Sequence, residues 1–224
     1  MSTPEAKLFR SYGYGWQQFT KYFLHIFLVG LIVAVASAPG WFRGDWDGGI
    51  TTGGTVILTI FVAAYSLLVL PVIEYGASRV FLKYMRDEQV DIREVIDGFK
   101  TNYLNIVLAN LLVVAIVGIG FILLIVPGIV FACRLAFVPY LVMDKGMDPA
   151  AAVEKSWTMT RGHGWRIFGM YLVAIPLLLV GLLLLIVGAF FASLWISCAF
   201  ASLYYAVDAK EQALLNENGG PATA

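Results

Sequence analysis

The most informative segment of the chain is Leu123-Leu124-Ile125-Val126-Pro127-Gly128-Ile129-Val130. Its Pro-Gly pair favours a tight reversal, because proline fixes its own φ and glycine tolerates a positive φ. Apolar sequence extends from the pair in both directions: residues 103–126 carry no charge, and residues 129–143 carry only Arg134. This pattern predicts a helical hairpin that crosses a bilayer, reverses at Pro127-Gly128 and returns.

The composition predicts an integral membrane protein. The 224 residues are 60% hydrophobic and 13% charged, with a mean hydropathy of +0.80. Soluble domains have about 25% charged residues, so too few charges are present to cover a surface in water. Fifteen basic and fifteen acidic residues cancel, and no block of like charge indicates nucleic acid. Cys133 and Cys198 lie in apolar runs away from histidine, so we expect no disulfide framework, metal or cofactor.

We predict an all-α integral membrane protein with six transmembrane helices in three hairpins. Roughly 17–25 residues cross a bilayer as a helix. The predicted spans cover about residues 22–38, 55–76, 103–126, 128–143, 165–187 and 188–207. Residues 1–21 are predicted to form an amphipathic helix at the membrane interface, and residues 208–224 a cytoplasmic tail.

Two further interfacial helices are predicted between the hairpins. Asp91 suits a helix N-cap, and Ile92, Val95, Ile96 and Phe99 then follow at the spacing of one helix face. Farther along the chain, Asp148-Pro149 has an N-cap residue followed by proline at the first helical position, and Arg161-Gly162 ends that pattern.

The basic residues predict the orientation. Under this topology, every lysine and arginine except Arg43 and Arg134 falls on the side that holds both termini and the interfacial helices. Cytoplasmic segments carry the excess of basic residues in membrane proteins. Both termini are therefore predicted to be cytoplasmic.

A weak internal repeat accompanies these hairpins. Leu-Leu-Ile-Val occurs at residues 123–126 and again at residues 184–187, where a second reversal is predicted at Val187-Gly188. Apolar segments also resemble one another by chance, so a true threefold repeat and a coincidence both remain open.

Residues 122–168 resemble a known bacterial family. The matching pieces are Leu-Leu-Ile-Val-Pro-Gly-Ile at 123–129, Arg134, Val-Pro-Tyr-Leu-Val-Met-Asp at 138–144, Ala-Ala-Val-Glu-Lys-Ser-Trp-Thr-Met-Thr-Arg-Gly at 151–162 and Gly-Trp-Arg at 164–166. The chain resembles the free-standing six-span proteins related to the membrane domain of some glycerophosphodiester phosphodiesterases. The resemblance implies a bacterial inner-membrane domain without an established activity. No phosphodiesterase domain is present, and Arg161-Gly162-His163 does not match that enzyme's His-Arg-Gly order.

Polar residues within the predicted spans are the first candidate site. A charge in lipid is costly and is usually compensated. Glu74, Arg134, Asn105 and Asn110 are the candidates. They would line a polar cavity open to the cytoplasm, with Arg134 pairing with Glu74 or binding an anionic head group. The alternative is purely structural: an interhelical ion pair, or side chains that extend to nearby water.

The second candidate site is the segment of residues 155–166. Lys155, Arg161 and Arg166 would hold lipid phosphates, with Trp157 and Trp165 at the level of the head groups. The alternative is that these residues only anchor an interfacial helix.

Small residues recur every four positions along the predicted sixth span: Ala189, Ser193, Ser197 and Ala201. Such a stripe lets another helix approach closely, either within the same bundle or from a partner protein or second copy.

No catalytic motif is present. The sequence lacks a Gly-x-Ser-x-Gly elbow, a Walker loop and a His-Glu-x-x-His helix. We therefore expect a non-enzymatic membrane protein that organises or senses inner-leaflet phospholipid or a membrane protein partner. The alternative is a small transporter or exporter that uses a cavity around Glu74, Asn110 and Arg134. A lipid-modifying enzyme is the third hypothesis, although no nucleophile–base pair is recognisable.

Overall fold

The computed structural model describes residues 8–41, 52–183 and 185–217, and in these ranges the chain forms helices and no strands. Residues 1–7 of the predicted N-terminal helix, Arg43 and the last seven residues lie outside them. The 3₁₀ helix covers Ile92–Ile96. The α-helices are α1 (Leu8–Lys21), α2 (Phe23–Trp41), α3 (Thr52–Leu68), α4 (Leu70–Met85), α5 (Gly98–Thr101), α6 (Tyr103–Leu123), α7 (Ile125–Arg134), α8 (Val138–Lys145), α9 (Pro149–Met159), α10 (Gly164–Leu183) and α11 (Leu185–Glu217).

The helices confirm an all-α protein with several segments able to span a membrane. Within the described ranges, five segments are long and apolar enough to do so: Val56–Met85, Tyr103–Leu123, Ile125–Lys145, Gly164–Leu183 and Val187–Leu214. Arg10–Lys21 and Phe23–Pro39 form a further candidate only when taken together, and a 98° bend separates them.

The predicted N-terminal helix is present as α1, and its aromatic face packs against protein. Tyr12 and Phe19 are buried. The Tyr12 hydroxyl donates to the Met170 carbonyl at 2.9 Å, and Trp195 Nε1 donates to the Tyr12 carbonyl at 3.1 Å. Trp16 remains 47% exposed, although its ring centroid lies 4.9 Å from that of Trp195. This helix therefore belongs to the bundle as well as to its surface.

The central hairpin reverses at Leu124, upstream of the predicted Pro127-Gly128 turn. Leu124 is extended, with φ −165° and ψ 154°, and Pro127 and Gly128 already lie in the first turn of α7. Proline is tolerated there because the first amide groups of a helix have no partner within it. A Cβ on Gly128 would lie 2.6 Å from the Phe121 ring. The glycine thus allows α6 and α7 to approach closely instead of adopting a positive φ.

The last hairpin has the same packing. Helix α10 ends at Leu183 and α11 begins at Leu185, so the reversal precedes the predicted Val187-Gly188. A Cβ on Gly181 would lie 2.9 Å from Cα of Ala189, and one on Gly120 would lie 2.9 Å from Cα of Gly128. Gly120 and Gly181 hold the same position relative to the two Leu-Leu-Ile-Val copies. The repeat therefore has a structural counterpart in these two hairpins.

The second predicted interfacial helix does not form one continuous α-helix. Asp91 caps it as expected, since its side chain accepts from the Arg93 amide at 2.9 Å, but the chain forms a 3₁₀ helix and then α5. Val95 is fully buried, whereas Ile96 is 54% exposed. A Cβ on Gly76 would lie 2.0 Å from the Val95 carbonyl oxygen. This close backbone contact with α4 and the burial of the Val95 side chain hold the segment against the bundle.

The predicted span at residues 128–143 is broken into α7 and α8. Pro139 lies in the first turn of α8, and the Val138 amide donates to the Leu135 carbonyl at 3.1 Å. The carbonyl of Arg134 is therefore not used by the helix. It accepts from Ser156 Oγ at 2.7 Å and from Thr160 Oγ1 at 3.3 Å. These two hydroxyls satisfy a buried backbone group that would otherwise be costly.

Helix α9 follows the predicted N-terminal and C-terminal signals. Pro149 occupies its first position after Asp148, whose side chain makes no capping hydrogen bond, and Gly162 beyond its end has φ +80°. Ala152 and Ser156 are fully buried. One face of this predicted interfacial helix therefore packs inside the bundle.

The core lies where α4, α8 and α11 meet. Phe137, Leu141 and Tyr204 are fully buried there, and the rings of Tyr140 and Tyr204 stack 4.9 Å apart. Helix α11 continues beyond the predicted span end at residue 207 to Glu217. Consequently the first residues of the predicted tail are helical.

Candidate functional site

A cluster of charges joins α4, α8 and α11 just beyond the core. Arg86 donates to both carboxylate oxygens of Asp144 at 2.6 and 2.8 Å and lies 3.7 Å from Asp208. Lys145 pairs with Asp208 at 2.5 Å. Burial opposes the charge on Arg86, but the hydrogen bonds to Asp144 and the electrostatic interactions with Asp144, Tyr204 and Asp208 together outweigh it and hold the pKa of the guanidinium above its ordinary value. We call Arg86, Asp144, Lys145 and Asp208 the central charge cluster.

Other ion pairs surround this cluster. Lys21 pairs with Asp87 at 2.5 Å, and its hydrogen bond lowers the pKa of that carboxyl. Lys83 pairs with Glu94 at 2.5 Å. The pairing of these lysines with acidic residues is not predicted from the sequence. For the central charge cluster, the signal in the sequence is Asp208, an acidic residue that directly follows a long apolar run.

The predicted head-group residues separate into two sets. Lys155 is half-buried and pairs with Glu211. Arg161 and Arg166 are exposed, and neither has an ion pair among the described residues. Trp165 is 86% exposed beside them. Arg161 and Arg166 therefore leave accessible positive charge at the turn between α9 and α10, as Arg93 and Lys100 do on the segment before α6.

His163 lies in this turn, and its pKa depends in part on the charges nearby. Burial lowers its pKa, and the charges of Arg166 and Lys210 lower it further, against a hydrogen bond to the Arg161 carbonyl. The imidazole is thus disfavoured as a cation in this positive surrounding.

Arg134 does not pair with Glu74. Its guanidinium lies 5.5 Å from the Trp157 ring centroid, and Nη1 lies 3.5 Å from the Trp157 carbonyl oxygen. That carbonyl belongs to the last turn of α9, where the helix dipole favours a cation. Across the described ranges, Arg134 makes no ion pair, and neither does Glu74, whose side chain is exposed on α4.

The other predicted polar residues of the spans are not gathered around Arg134. Asn105 and Asn110 are half-buried on α6, and neither side chain has a hydrogen-bond partner among the described residues. The cavity that reaches Arg134 contains neither of them nor Glu74. This cavity is therefore not the polar cavity predicted around Glu74, Asn110 and Arg134.

That cavity is a groove between α7 and the start of α10, which we call the α7–α10 groove. Its volume is about 520 Å³, within the range of roughly 300–1,000 Å³ typical of small-molecule sites. Its walls are mostly apolar, and Arg134 is the charged residue among those lining it: Val126, Ile129, Val130, Cys133, Arg134, Gly162, Gly164, Trp165 and Phe168.

The small-residue stripe of α11 faces partly inward. Ala189 packs against Gly181, and Ala201 is fully buried. The Ser193 hydroxyl, which is exposed, donates to the Phe190 carbonyl at 2.7 Å. Ser197 donates to the Ser193 carbonyl at 3.0 Å. The inward part of the stripe thus serves packing within the bundle.

The described residues contain no group of three or more His, Cys, Asp or Glu side chains that could hold a metal ion. No protein-family model, curated protein or solved structure matches the chain. The geometry of its own residues is therefore the basis for the function that follows.

Proposed function

We propose that this chain is a non-enzymatic, multi-pass protein of the bacterial cytoplasmic membrane that engages anionic phospholipid of the inner leaflet. The observation that carries the proposal is the exposed turn between α9 and α10. Arg161 and Arg166 have no ion-pair partner among the described residues, and Trp165 is exposed beside them. Arginines attract the anionic cytoplasmic leaflet, and tryptophan favours the head-group region.

The proposed topology has six spans, with α2 as the first and α1 at the cytoplasmic interface, and both termini in the cytoplasm. Its support is the distribution of charge. The reversals at Leu124 and between α10 and α11 lie in uncharged sequence, whereas the ion pairs and the exposed arginines belong to the opposite ends of the same helices. This arrangement fits the excess of basic residues on cytoplasmic segments.

The size of the effect follows from the two arginines. Each basic residue near an anionic membrane surface contributes about 1 kcal/mol. Arg161 and Arg166 together then contribute about 2 kcal/mol, which corresponds to a roughly 30-fold preference for anionic over neutral lipid at their contact sites.

The test is a comparison of co-purified lipid. The Arg161→Gln/Arg166→Gln variant and the wild type are extracted in mild detergent, and phosphatidylglycerol per chain is measured by mass spectrometry. We expect the variant to lose most of this lipid relative to phosphatidylethanolamine. Arg93→Gln/Lys100→Gln removes the same number of exposed charges from a different segment of the chain, between α4 and α6. Equal loss in both double variants, or no loss in the first, would contradict the proposal.

The alternative of a small transporter receives no support from the arrangement of its candidate residues, because Glu74 and Asn110 lie outside the α7–α10 groove. A partner protein or second copy at Ser193 and Ser197 stays a prediction, as does membership of the glycerophosphodiester phosphodiesterase membrane-domain family.

A further inference from the structure

Arg134 has no counter-ion among the described residues, and it lies in an apolar part of the bundle. It lies in the candidate span Ile125–Lys145, where a charge requires compensation. Its contacts are the Trp157 ring and one carbonyl oxygen at 3.5 Å, which is long for a hydrogen bond. A guanidinium has five N–H donors, so most of its donors remain available. An anion with several acceptor oxygens would meet this need.

The α7–α10 groove leads away from Arg134 as an apolar channel. Val130, Ile129 and Val126 line it toward the reversal, with Phe168 across from them. The distance from Arg134 to Val126 along α7 is about 12 Å, at about 1.5 Å per residue. The groove therefore offers about 12 Å of apolar wall to an acyl chain.

The end of the groove beside Arg134 is open. Gly162 and Gly164 line this end, and a Cβ added to either would meet nothing within 4 Å. Trp165 borders it with 86% of its surface exposed. A head group at this position would therefore meet no steric obstacle, and the indole lies where tryptophan is favoured in membranes.

We propose that the α7–α10 groove holds one anionic phospholipid, with its phosphate against Arg134 and one acyl chain along Val130, Ile129 and Val126. Arginine binds phosphate oxygens in a bidentate manner. The one weak hydrogen bond from Arg134 to the Trp157 carbonyl leaves other N–H groups of the guanidinium available for this. A free phosphate ion would leave the apolar channel empty, and an uncharged lipid would leave Arg134 without a counter-ion. This inference rests on the proposed function and identifies the most tightly held lipid molecule.

The experiment is native mass spectrometry of the full chain after exchange from mild detergent into a second detergent. We expect the wild type to retain one phosphatidylglycerol per chain, and added inorganic phosphate not to displace it. Arg134→Gln removes the charge, and Val130→Trp fills the channel; each should lose the retained lipid by tenfold or more. Val114→Trp is the matched control, because Val114 is 51% exposed on α6 and lies outside the groove, whereas Val130 is 45% exposed within it.

Several outcomes would overturn the inference: a wild-type chain without retained lipid, displacement by inorganic phosphate, a retained fatty acid or neutral lipid, or retention by both groove variants. Circular dichroism of each variant checks its helix content. If Arg134→Gln fails to fold, Val130→Trp and its control decide the question. The Arg161→Gln/Arg166→Gln variant should keep this one molecule while losing the others, so failure of the groove and failure of the proposed function give different results.

Discussion

Replacing Arg86 with methionine should destabilise the bundle strongly. Arg86 forms a bidentate pair with Asp144 and lies 3.7 Å from Asp208, and its side chain is only 20% exposed. Removal of one partner of a buried ion pair costs about 3–5 kcal/mol, because the other charge is left buried and uncompensated. In Arg86→Met, Asp144 loses the partner of both its oxygens, while Asp208 keeps Lys145.

The assay is thermal unfolding of the purified protein in mild detergent. For a chain of this size, each kcal/mol shifts the midpoint by about 2–4 °C, so Arg86→Met should unfold roughly 6–20 °C below the wild type. Lys21→Met is the control, since Lys21 pairs with Asp87 but is 51% exposed. Exposed pairs contribute about 0–1 kcal/mol, so this variant should stay within about 4 °C of the wild type.

The double variant Arg86→Met/Asp144→Leu tests the reasoning itself. Replacement of both partners by apolar residues is often neutral or stabilising, so the double variant should recover most of the stability that Arg86→Met loses. If it unfolds at or below the midpoint of the single variant, or if Arg86→Met behaves like Lys21→Met, the central charge cluster does not hold the helices together.

Three further predictions follow from local contacts. Gly76→Ala should release residues 92–101 to limited proteolysis and cost about 1–3 kcal/mol, because its Cβ would lie 2.0 Å from the Val95 carbonyl oxygen; unchanged cleavage would refute the docking contact. Ser156→Ala should cost about 1 kcal/mol in thermal unfolding, since the Arg134 carbonyl keeps only Thr160 at 3.3 Å; an unaltered midpoint would contradict this. The lowered pKa of Asp87 contributes stability above its unfolded value near pH 4 that is lost as pH falls through the folded pKa. Stability titrations of the wild type and Lys21→Met should therefore diverge above that range and converge in acid.

The membrane class and most helix positions could be predicted from the sequence, because a lipid-facing surface requires long uncharged runs. The reversals could not. Gly128 was interpreted as a turn residue, yet it serves the approach of Phe121. That role becomes visible only when the packing of α6 on α7 is known. The break at Arg134 was missed for the same reason, since the hydroxyls that satisfy its carbonyl lie 22 and 26 residues away.

The candidate site was predicted in separate pieces. Arg134 was named as a polar residue of a span, and Trp157 and Trp165 as head-group residues; the structure brings Arg134 onto the Trp157 ring and into one groove with Trp165. Val126 and Val130 could not be recognised from the sequence, because an apolar residue in a span looks the same whether it faces a helix, a lipid or a groove. Pairing was the other unpredictable property, since Lys155 is neutralised by a residue 56 positions away.

Pairing also decides which basic residues of this chain of zero net charge are left to attract an anion. In the central charge cluster and the ion pairs around it, each basic residue pairs with an acidic one. Arg134, Arg161 and Arg166 have no such partner among the described residues, and each lines the α7–α10 groove or lies within two positions of a glycine that does. Like charges so placed repel one another, and the depressed pKa of His163 reflects part of that field. A phosphate bound in the groove would supply the counter-ion that no described residue gives Arg134, and phosphates of separate lipid molecules at the turn would offset the charges of Arg161 and Arg166.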